Sequence, residues 1–513
     1  MNYSSIIKFI VSISLCLILF SCSNTKQDLF PDPEVKAGIA KLSGKVTNYL
    51  WDEKRENPDI LLGVMCPVTA AQIDFVVKLS NDGSFFFKDI PIECNTIGFI
   101  NSDIFDWTVI GVGLVSDEET QVEIVFDNDN DFKVYHTKSS LLSTSDNLLY
   151  PNEFVEKILI PAPGTYEKCY DWKLEDFRSY AMEIIEKRLA FALDGSPLSK
   201  RAANFTSNDF RLFYMRGILL DYGEYISLNY RNFKTEQEPD DFTPQIPDKS
   251  YYTFLKDFDL NNPQHLYSNH YSRVLETILR NETLNIPPLS DTPIDQWLKE
   301  VTTIMTELVG FDKGLFYDLL AANSYALQFN NELRPLSDKQ KENIKNYFKG
   351  KKREIAKILL QKNDEIITLA AQKEPVVVNK TPAVPKEKLM EAIVSKYNGK
   401  VVVVDFWATW CGPCLDAMKR YTTVKSELKG KNVVFVYLTN GSSPQKLWEE
   451  KIKGIGGEHY YLDNEEWYHL MDAFKFEGIP SYVIFDTQGE VRYKFTAYPG
   501  NEEMRAMIEE LLP

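Results

Sequence analysis

The sequence predicts a chain of three parts: an all-β, sandwich-like domain, an α-helical middle region and an α/β domain at the C-terminal end. Three observations predict this order. Apolar residues alternate with polar ones in the first part and recur every three to four residues in the middle. In the last part, short and largely apolar runs stand between helical patterns. The predicted boundaries are 39–150 for the β domain, 151–373 for the helical region, 374–386 for a linker and 387–513 for the α/β domain.

The first 21 residues have the shape of a secretion signal. Lys8 precedes an apolar run from Phe9 to Phe20, which is too short to span a bilayer as a permanent helix. The run ends in Leu-Phe-Ser-Cys22, which resembles the lipobox of bacterial lipoproteins. That resemblance implies cleavage before Cys22, lipid on its sulfur and a tether over 22–38. The alternatives are an ordinary signal peptide with an incidental cysteine, or a buried helix.

The composition limits the partners of the protein. With 57 basic and 74 acidic residues, the chain has a net charge of −17, which argues against nucleic acid or an anionic membrane surface as a partner. No later stretch approaches 18 uninterrupted apolar residues, so we expect no transmembrane helix. The residues after Cys22 lack an acidic run, which favours an anchor that faces the periplasm.

Seven cysteines are present, and their positions separate them into groups. Cys16 leaves with the signal peptide, Cys22 is the expected lipid site, and two cysteines near the C-terminal end form a CxxC pair. Three cysteines remain, so we expect at least one to be free or buried: Cys66, Cys94 and Cys169. The pattern does not indicate a fold held together by disulfides.

The β domain is predicted from short alternating runs separated by turn residues. Residues 73–79 alternate, Asn81-Asp82-Gly83 turns the chain, and Phe85 and Phe87 continue the alternation. The segments LSGKV at Leu42 and DGSFFF at Asp82 resemble the β-domains that precede thioredoxin-like lipoproteins of Bacteroidetes. We therefore expect a small β-sandwich.

The middle region is predicted to be helical from its stripes of apolar residues. One stripe runs from Phe177 to Leu193, and Ser337 to Gln340 has the pattern of a capping box at the start of another helix. Many aromatic residues also stand here and would suit either a ligand groove or a helical core, and their helical spacing favours the core: Phe210, Phe213, Tyr214, Tyr222 and Tyr225. The prolines between Glu374 and Lys386 indicate the linker.

The chemistry of the chain is concentrated in the segment DFWATWCGPC, residues 405–414. A strand over 400–406 leads to Cys411 at the start of a helix. A helix N-terminus stabilises negative charge, and the thiolate is the form that attacks disulfides. Cys411 is therefore the expected nucleophile, and Cys414, one turn on, the expected resolving cysteine. Pro413 suits the first turn of the helix, where a missing N–H has no cost.

Two other readings of the pair are weaker. A zinc site would need a second CxxC or a histidine pair at ligand spacing, and the five histidines of the chain show no such spacing beside Cys411. A peroxidase would need a threonine three residues before the cysteine, and Thr409 is two residues before it. We therefore expect neither a metal nor a cofactor.

FWATWCGPC resembles the active site of the thioredoxin superfamily, and in particular of its membrane-tethered TlpA-like thiol-disulfide oxidoreductases, over the last 125 residues or so. The resemblance implies that Asp405 is a buried acid that takes the proton of Cys414 through water. It implies that Pro480, in Gly478-Ile479-Pro480-Ser481, is a cis-proline facing the pair. It also implies a substrate-docking surface on five residues: Trp407, Trp410, Gly412, Pro413 and Ile479.

The resemblance has two departures and one insertion. Lys419 stands where the helix of these families usually has a kinking proline, and the strand Val433 to Thr439 lacks the lysine that pairs with the buried acid. An additional block over 454–475 is similar to the insert of TlpA-like proteins. His459 and His469 lie in it, and we expect both to be structural.

These features predict a lipid-anchored thiol-disulfide oxidoreductase of the cell envelope, facing the periplasm. The resemblance suggests reduction of disulfides in envelope proteins through the Cys411–Cys414 dithiol, with a membrane thiol protein as electron donor. The alternative is a binding lipoprotein that recognises its ligand with the β and helical regions and uses the thioredoxin fold as a scaffold. The intact pair, together with Asp405 and Pro480, favours the enzyme.

Overall fold

The structure is a computed structural model that describes residues 28–49, 57–127, 131–146, 148–235, 237–239, 242–372 and 375–513. The expected signal peptide, Cys22 and the first part of the tether lie outside the described residues. The chain divides into two compact units. The N-terminal unit comprises the residues up to 326 together with 337–360, and the C-terminal unit comprises 327–336 together with 361–513.

The N-terminal unit begins with a β-sandwich. Its strands are β1 (Val35–Thr47), β2 (Asp59–Cys66), β3 (Ala71–Lys78), β4 (Ser84–Cys94), β5 (Thr96–Asn101), β6 (Val109–Leu114), β7 (Glu119–Phe126), β8 (Phe132–Lys138) and β9 (Leu149–Tyr150). One sheet has the order β4-β1-β7-β8 and the other β3-β2-β5-β6-β9. Alternate residues of both sheets, such as Leu42, Ile60 and Val112, form one core. The predicted sandwich is therefore confirmed.

Helices follow the sandwich, and their apolar stripes form most of the remaining core. They are α1 (Asn152–Leu159), α2 (Leu174–Leu193), α3 (Lys200–Tyr214), α4 (Tyr222–Phe233), α5 (Tyr271–Arg280), α6 (Ile294–Val309), α7 (Leu315–Glu332), α8 (Asp338–Tyr347) and α9 (Arg353–Gln372). Ser337 and Gln340 form the predicted capping box at the start of α8. A π-helical segment, Met215–Leu220, follows α3 directly.

The β and helical parts form one compact unit, although the sequence suggested two domains divided at residue 150. The ring of Phe99 on β5 stacks on Phe205 of α3 with centroids 6.5 Å apart. The Tyr150 and Thr206 hydroxyls lie 2.7 Å apart, and the Asn323 amide donates to the carbonyl of Pro67 at 2.9 Å. Because one face of the second sheet is covered by helices, neither part buries its apolar surface alone.

The C-terminal unit contains a six-stranded sheet of order β10-β13-β12-β11-β14-β15. Its strands are β10 (Val376–Asn379), β11 (Val401–Phe406), β12 (Val433–Asn440), β13 (Gly457–Leu462), β14 (Ser481–Phe485) and β15 (Val491–Thr496). Its helices are α10 (Leu389–Ser395), α11 (Gly412–Glu427), α12 (Gln445–Ile455), α13 (Asn464–Phe474) and α14 (Asn501–Leu511). Strands β10 to β13 are parallel, and β14 and β15 are antiparallel to their neighbours. Both faces are covered, which explains the apolar run of β11.

The segment expected to be a linker contains an edge strand of this sheet. β10 pairs in parallel with β13, from Val376 opposite Gly457 to Asn379 opposite Tyr460. The Asn379 amide also donates to Glu458 at 2.8 Å. The open edge of β13 supplies the hydrogen bonds that make a strand of this proline-flanked run, so 374–386 is not a free linker. Within the described ranges, no helix combines the length and apolarity required to cross a bilayer.

Candidate active site

The two cysteines lie at the N-terminal end of α11. Cys411 is the N-cap residue, and its sulfur accepts a hydrogen bond from the Cys414 backbone N–H at 3.2 Å. The two sulfurs form a disulfide, with Cα atoms 5.3 Å apart. Pro413 stands in the first turn, where its missing N–H leaves no helical hydrogen bond unmade. The site is therefore a disulfide at the positive end of a helix dipole.

The surface around the pair allows a substrate to reach one sulfur. Cys411 retains 3% of its surface and Cys414 none. Gly412 and Pro413 are exposed beside them. Trp410 is 59% exposed, and its indole N–H donates to the Ser442 hydroxyl at 3.2 Å. Cys411 is therefore the more accessible sulfur of the pair, and an exposed aromatic side chain precedes it directly.

The docking role expected for Trp407 is contradicted by its burial. Trp407 has no exposed surface and packs in the core beneath α11, together with Val401 and Val403 of β11. Because alternate strand residues face the same side, residue 407 continues the row of side chains at 401 and 403. It supports the loop from inside and does not contact a docking protein.

Ile479 and Pro480 lie at the same end of the sheet as the cysteine loop. Strand β14 is antiparallel to β11, with Ser481 opposite Phe406, so the residues just before Ser481 adjoin the residues just after Phe406. The Ile479–Pro480 peptide bond is cis, and the Ser481 hydroxyl donates to the Gly478 carbonyl at 2.7 Å. Pro480 is buried and Ile479 is half-buried. The fold therefore brings this loop to the cysteines, which lie some 70 residues earlier.

Asp405 is a carboxyl group inside the protein core. It stands between Val403 and Trp407 in the row that faces α11, with 1% of its surface exposed. One carboxyl oxygen, Oδ2, accepts from the Tyr421 hydroxyl at 3.2 Å, and the other, Oδ1, is buried without a partner among the described residues. Burial raises the pKa of Asp405 to about 8, against the lowering effects of Tyr421 and of the Lys425 charge. A carboxyl with a pKa near neutrality is suited to exchange protons during catalysis.

A buried lysine that the sequence did not suggest completes this site. Lys425, on α11, donates from Nζ to the Tyr437 hydroxyl at 3.1 Å and to the Ile455 carbonyl at 3.0 Å. The Tyr437 and Tyr421 hydroxyls lie 3.0 Å apart, and Tyr421 contacts Asp405. Two tyrosines thus connect a cation to the buried acid. The cation comes from helix α11. It does not come from β12, the strand in which the resemblance led us to expect a lysine that the sequence lacks.

Lys425 could have been found from the period of α11. It follows Cys414, Met418 and Tyr421 at helical spacing, which places an ammonium group on the buried side of the helix. A lysine in an apolar stripe needs buried acceptors. The tyrosines at 421 and 437 meet this need, and their positions become apparent only when the sheet register is known.

Among the contacts of the described residues, none joins His459 or His469 of the inserted block to the two sulfurs. His459 is fully buried, its ring is stacked on Tyr437, and its Nε2 lies 3.1 Å from the Gly456 carbonyl. Burial lowers the pKa of His459 to about 3, so the imidazole is neutral and structural. His469 is half-buried on α13. Among the residues that the structure describes, no group of three or more His, Cys, Asp or Glu side chains is arranged to hold a metal.

Comparison with known proteins finds thioredoxin-like similarity in the C-terminal unit. A family model described as Thioredoxin-like matches residues 398–491. The thiol-disulfide oxidoreductase ResA of Geobacillus kaustophilus is 28% identical over 120 residues, which are 23% of this chain and 68% of that protein. A thioredoxin of Ictalurus punctatus is 31% identical over 75 residues, 15% of this chain and 70% of that protein. The solution structure of a putative thiol-disulfide oxidoreductase from Bacteroides vulgatus is 26% identical, with a TM-score of 0.21 and coverage of 23% and 77%.

The fold and the comparisons together define a thiol-disulfide oxidoreductase. The chain belongs to the thioredoxin superfamily, as a member of the TlpA-like type. These matches cover about a quarter of the chain or less, and the residues matched by the family model lie within the C-terminal unit.

Proposed function

We propose that this protein is a lipid-anchored reductase of disulfides in proteins of the cell envelope. One observation carries the proposal: the Cys411–Cys414 disulfide at the N-terminus of α11 shares its core with Tyr421, the hydrogen-bond partner of Asp405, whose pKa of about 8 suits proton exchange near neutral pH. The named function of ResA-type relatives supports the reaction class. The lipobox-like sequence before Cys22 supports the anchor.

The reaction begins with the dithiol form. The Cys411 thiolate, stabilised by the helix N-terminus, attacks one sulfur of a substrate disulfide, and the other substrate sulfur leaves as a thiolate that takes up a proton. A mixed disulfide joins Cys411 to the substrate. The ionised form of Asp405 then takes the proton of Cys414 through water, and the Cys414 thiolate attacks the Cys411 sulfur, which releases the second substrate thiolate. The substrate has gained two electrons and the protein is left with the disulfide seen in the structure.

The proposed partners follow from this balance. Each turnover needs two electrons from another molecule. Because the protein is proposed to work outside the cytoplasm, we propose a thiol protein of the membrane as the electron donor, since it can open the disulfide by thiol-disulfide exchange. Asp405 returns its proton to Cys414 when that donor opens the disulfide. The exposed residues Trp410, Gly412 and Pro413, with half-buried Ile479, form the proposed docking surface for the substrate chain.

The reduction potential of the pair tests the direction of the reaction. It is measured against dithiothreitol buffers in a chain that starts after Cys22, with Cys66, Cys94 and Cys169 replaced by alanine. A potential near about −270 mV supports a reductant, whereas one near about −120 mV identifies an oxidant and contradicts the proposal. A pair that does not cycle supports the binding-lipoprotein alternative. Metabolic labelling with palmitate, compared between wild type and Cys22→Ser, tests the anchor separately.

A further inference from the structure

The N-terminal unit contains a pocket that the redox reaction does not use. It has a volume of about 420 Å³, within the range of about 300–1,000 Å³ typical of small-molecule sites. Its apolar wall comes from the second sheet and from the helices that cover it, and is formed by Val64, Phe99, Val109, Phe210 and Phe213. The sequence had favoured a purely structural role for Phe210 and Phe213, and the structure places both at an open cavity.

Three basic side chains meet at one side of this pocket, and one of them, His270, is neutral because burial lowers its pKa. Arg216, His270 and Arg273 all line it. His270 packs against Phe213 with ring centroids 5.1 Å apart, and its Nδ1 is buried without a partner among the described residues. The pKa of Arg273 is lowered, mainly by burial and in addition by the charge of Arg216. The two guanidinium groups therefore repel each other. A bound anion would relieve that repulsion.

The acidic groups nearby are engaged elsewhere. Asp209, the carboxylate among the lining residues, accepts from the Ser268 hydroxyl at 2.5 Å and faces His270 Nε2 at 3.9 Å. Asp221 does not line the pocket, and its carboxylate pairs with the Arg216 guanidinium at 3.1 Å. Glu276, on the same helix as Arg273, pairs with Arg280 at 3.1 Å, and its charge also raises the pKa of Arg273.

Arg273 therefore carries the positive charge that remains available. It is exposed at the rim, and its one hydrogen bond among the described residues is a long one, 3.5 Å to the Gln72 amide oxygen. Because Arg216 is paired with Asp221, Arg273 is the guanidinium of the lining without an ion pair among the described residues, which suits a ligand with a single negative charge. An arginine fork is also suited to bind a carboxylate through two hydrogen bonds.

We propose that this pocket binds a small amphipathic carboxylate, with its apolar body between Phe210 and Phe213 and its carboxylate on Arg273. The site is independent of the dithiol, and the proposal does not rest on the proposed reductase function. It gives the N-terminal unit a recognition role of its own.

A pair of fluorescent probes tests the proposal. 1-Anilinonaphthalene-8-sulfonate has an aromatic body and one negative charge, and N-phenyl-1-naphthylamine has the same body without the charge. Both are titrated into the whole chain starting after Cys22, in wild type, Arg273→Met and the control Arg231→Met, which removes an exposed arginine of α4 away from the pocket. We expect Arg273→Met to weaken binding of the sulfonate by roughly tenfold or more, the effect of losing one charge-assisted hydrogen bond.

The remaining arms decide the chemistry of the ligand. Binding of the neutral probe should be the same in all three proteins, and 1-naphthoate should displace the sulfonate at lower concentration than 1-naphthyl phosphate does. Equal affinities of Arg273→Met and wild type for the sulfonate would overturn the proposal, and stronger displacement by the phosphate would overturn the choice of a carboxylate. Arg273 has no ion pair among the described residues, so its replacement should leave the melting temperature unchanged. Cys411→Ser should bind the sulfonate as wild type does.

Discussion

Two buried cysteines in the two units show that burial does not decide the chemistry of a sulfur. Cys94 on β4 and Cys414 on α11 both have no exposed surface. Burial, with the adjacent Glu93 carboxylate, raises the pKa of the Cys94 thiol far above its usual range, and its sulfur has only a weak contact of 3.9 Å to the Leu266 carbonyl. Cys414 instead has a partner sulfur at a helix N-terminus and an acid in the same core. Position relative to helix and acid makes the difference.

The largest effect should come from removing the more accessible sulfur of the pair, that of Cys411. Cys411→Ser replaces the nucleophile with a hydroxyl that does not attack disulfides, and we expect turnover to fall by roughly a thousandfold or more. The measurement is reduction of insulin disulfides with dithiothreitol as electron source. Cys94→Ala is the matched control and should retain full turnover. Similar losses in both variants would show that the two cysteines do not differ as proposed.

The next effect concerns the stability of the C-terminal unit. The pKa of Asp405 is raised from an unfolded value near 3.8 to about 8 in the folded protein. Between these values the folded state holds a proton that the unfolded state has lost, so stability falls as pH rises from about 4 to about 8. The slope attributable to this group is about 1.4 kcal/mol per pH unit. Asp405→Asn should lack that slope and be the more stable protein at pH 8.

Chemical denaturation of the oxidised protein at pH 5, 6, 7 and 8 measures this slope. Asp416→Asn is the control, because Asp416 lies on the outer side of the same helix, where it pairs with Arg420. It should keep the wild-type pH dependence. If Asp405→Asn keeps that dependence as well, the acid is not held protonated in the folded state.

The features of the site that the sequence predicted are those fixed by local spacing. The cysteine pair, its place at a helix start and the position of Asp405 all lie within ten residues, and a strand followed by a helix determines their arrangement. Pro480 is distant, and the sequence placed it by resemblance alone. The structure adds the reason, which is the register of β14 against β11.

What the sequence did not reveal depends on pairing between distant segments. β10 is a strand because β13 leaves an edge open, and nothing in the six residues between Pro375 and Pro382 indicates that edge. Lys425 is connected to the acid through Tyr437 of β12 and then Tyr421 of its own helix. The burial of Trp407, by contrast, could have been predicted, since it continues the row of Val401 and Val403. The resemblance to a docking tryptophan outweighed that simple argument.

A smaller effect should follow from the buried lysine. The Lys425 charge lowers the pKa of Asp405, so Lys425→Met should raise that pKa. The pH dependence of disulfide reduction should show the change as an inflexion that moves from about 8 to higher pH. Lys429→Met, an exposed lysine just after the same helix, is the control and should leave the inflexion in place. An unmoved inflexion in Lys425→Met would show that the tyrosines do not couple this charge to the acid.

The smallest effect should be found at Cys169, which makes the comparison sharper because it is a buried thiol beside a helix. It precedes α2 by a few residues, and its backbone N–H donates to Asn229 at 2.9 Å. Burial, with nearby Asp171 and Glu167, raises the pKa of the Cys169 thiol to about 12. At pH 7.5 it is therefore a thiol.

Iodoacetamide should label Cys411 of the reduced protein within minutes and leave Cys169 unmodified, as read by peptide mass spectrometry. Cys169→Ala should not change turnover. Labelling of Cys169 in the folded protein at a rate near that of Cys411 would show that the helix N-terminus and the buried acid are not what separates reactive from inert sulfur in this chain.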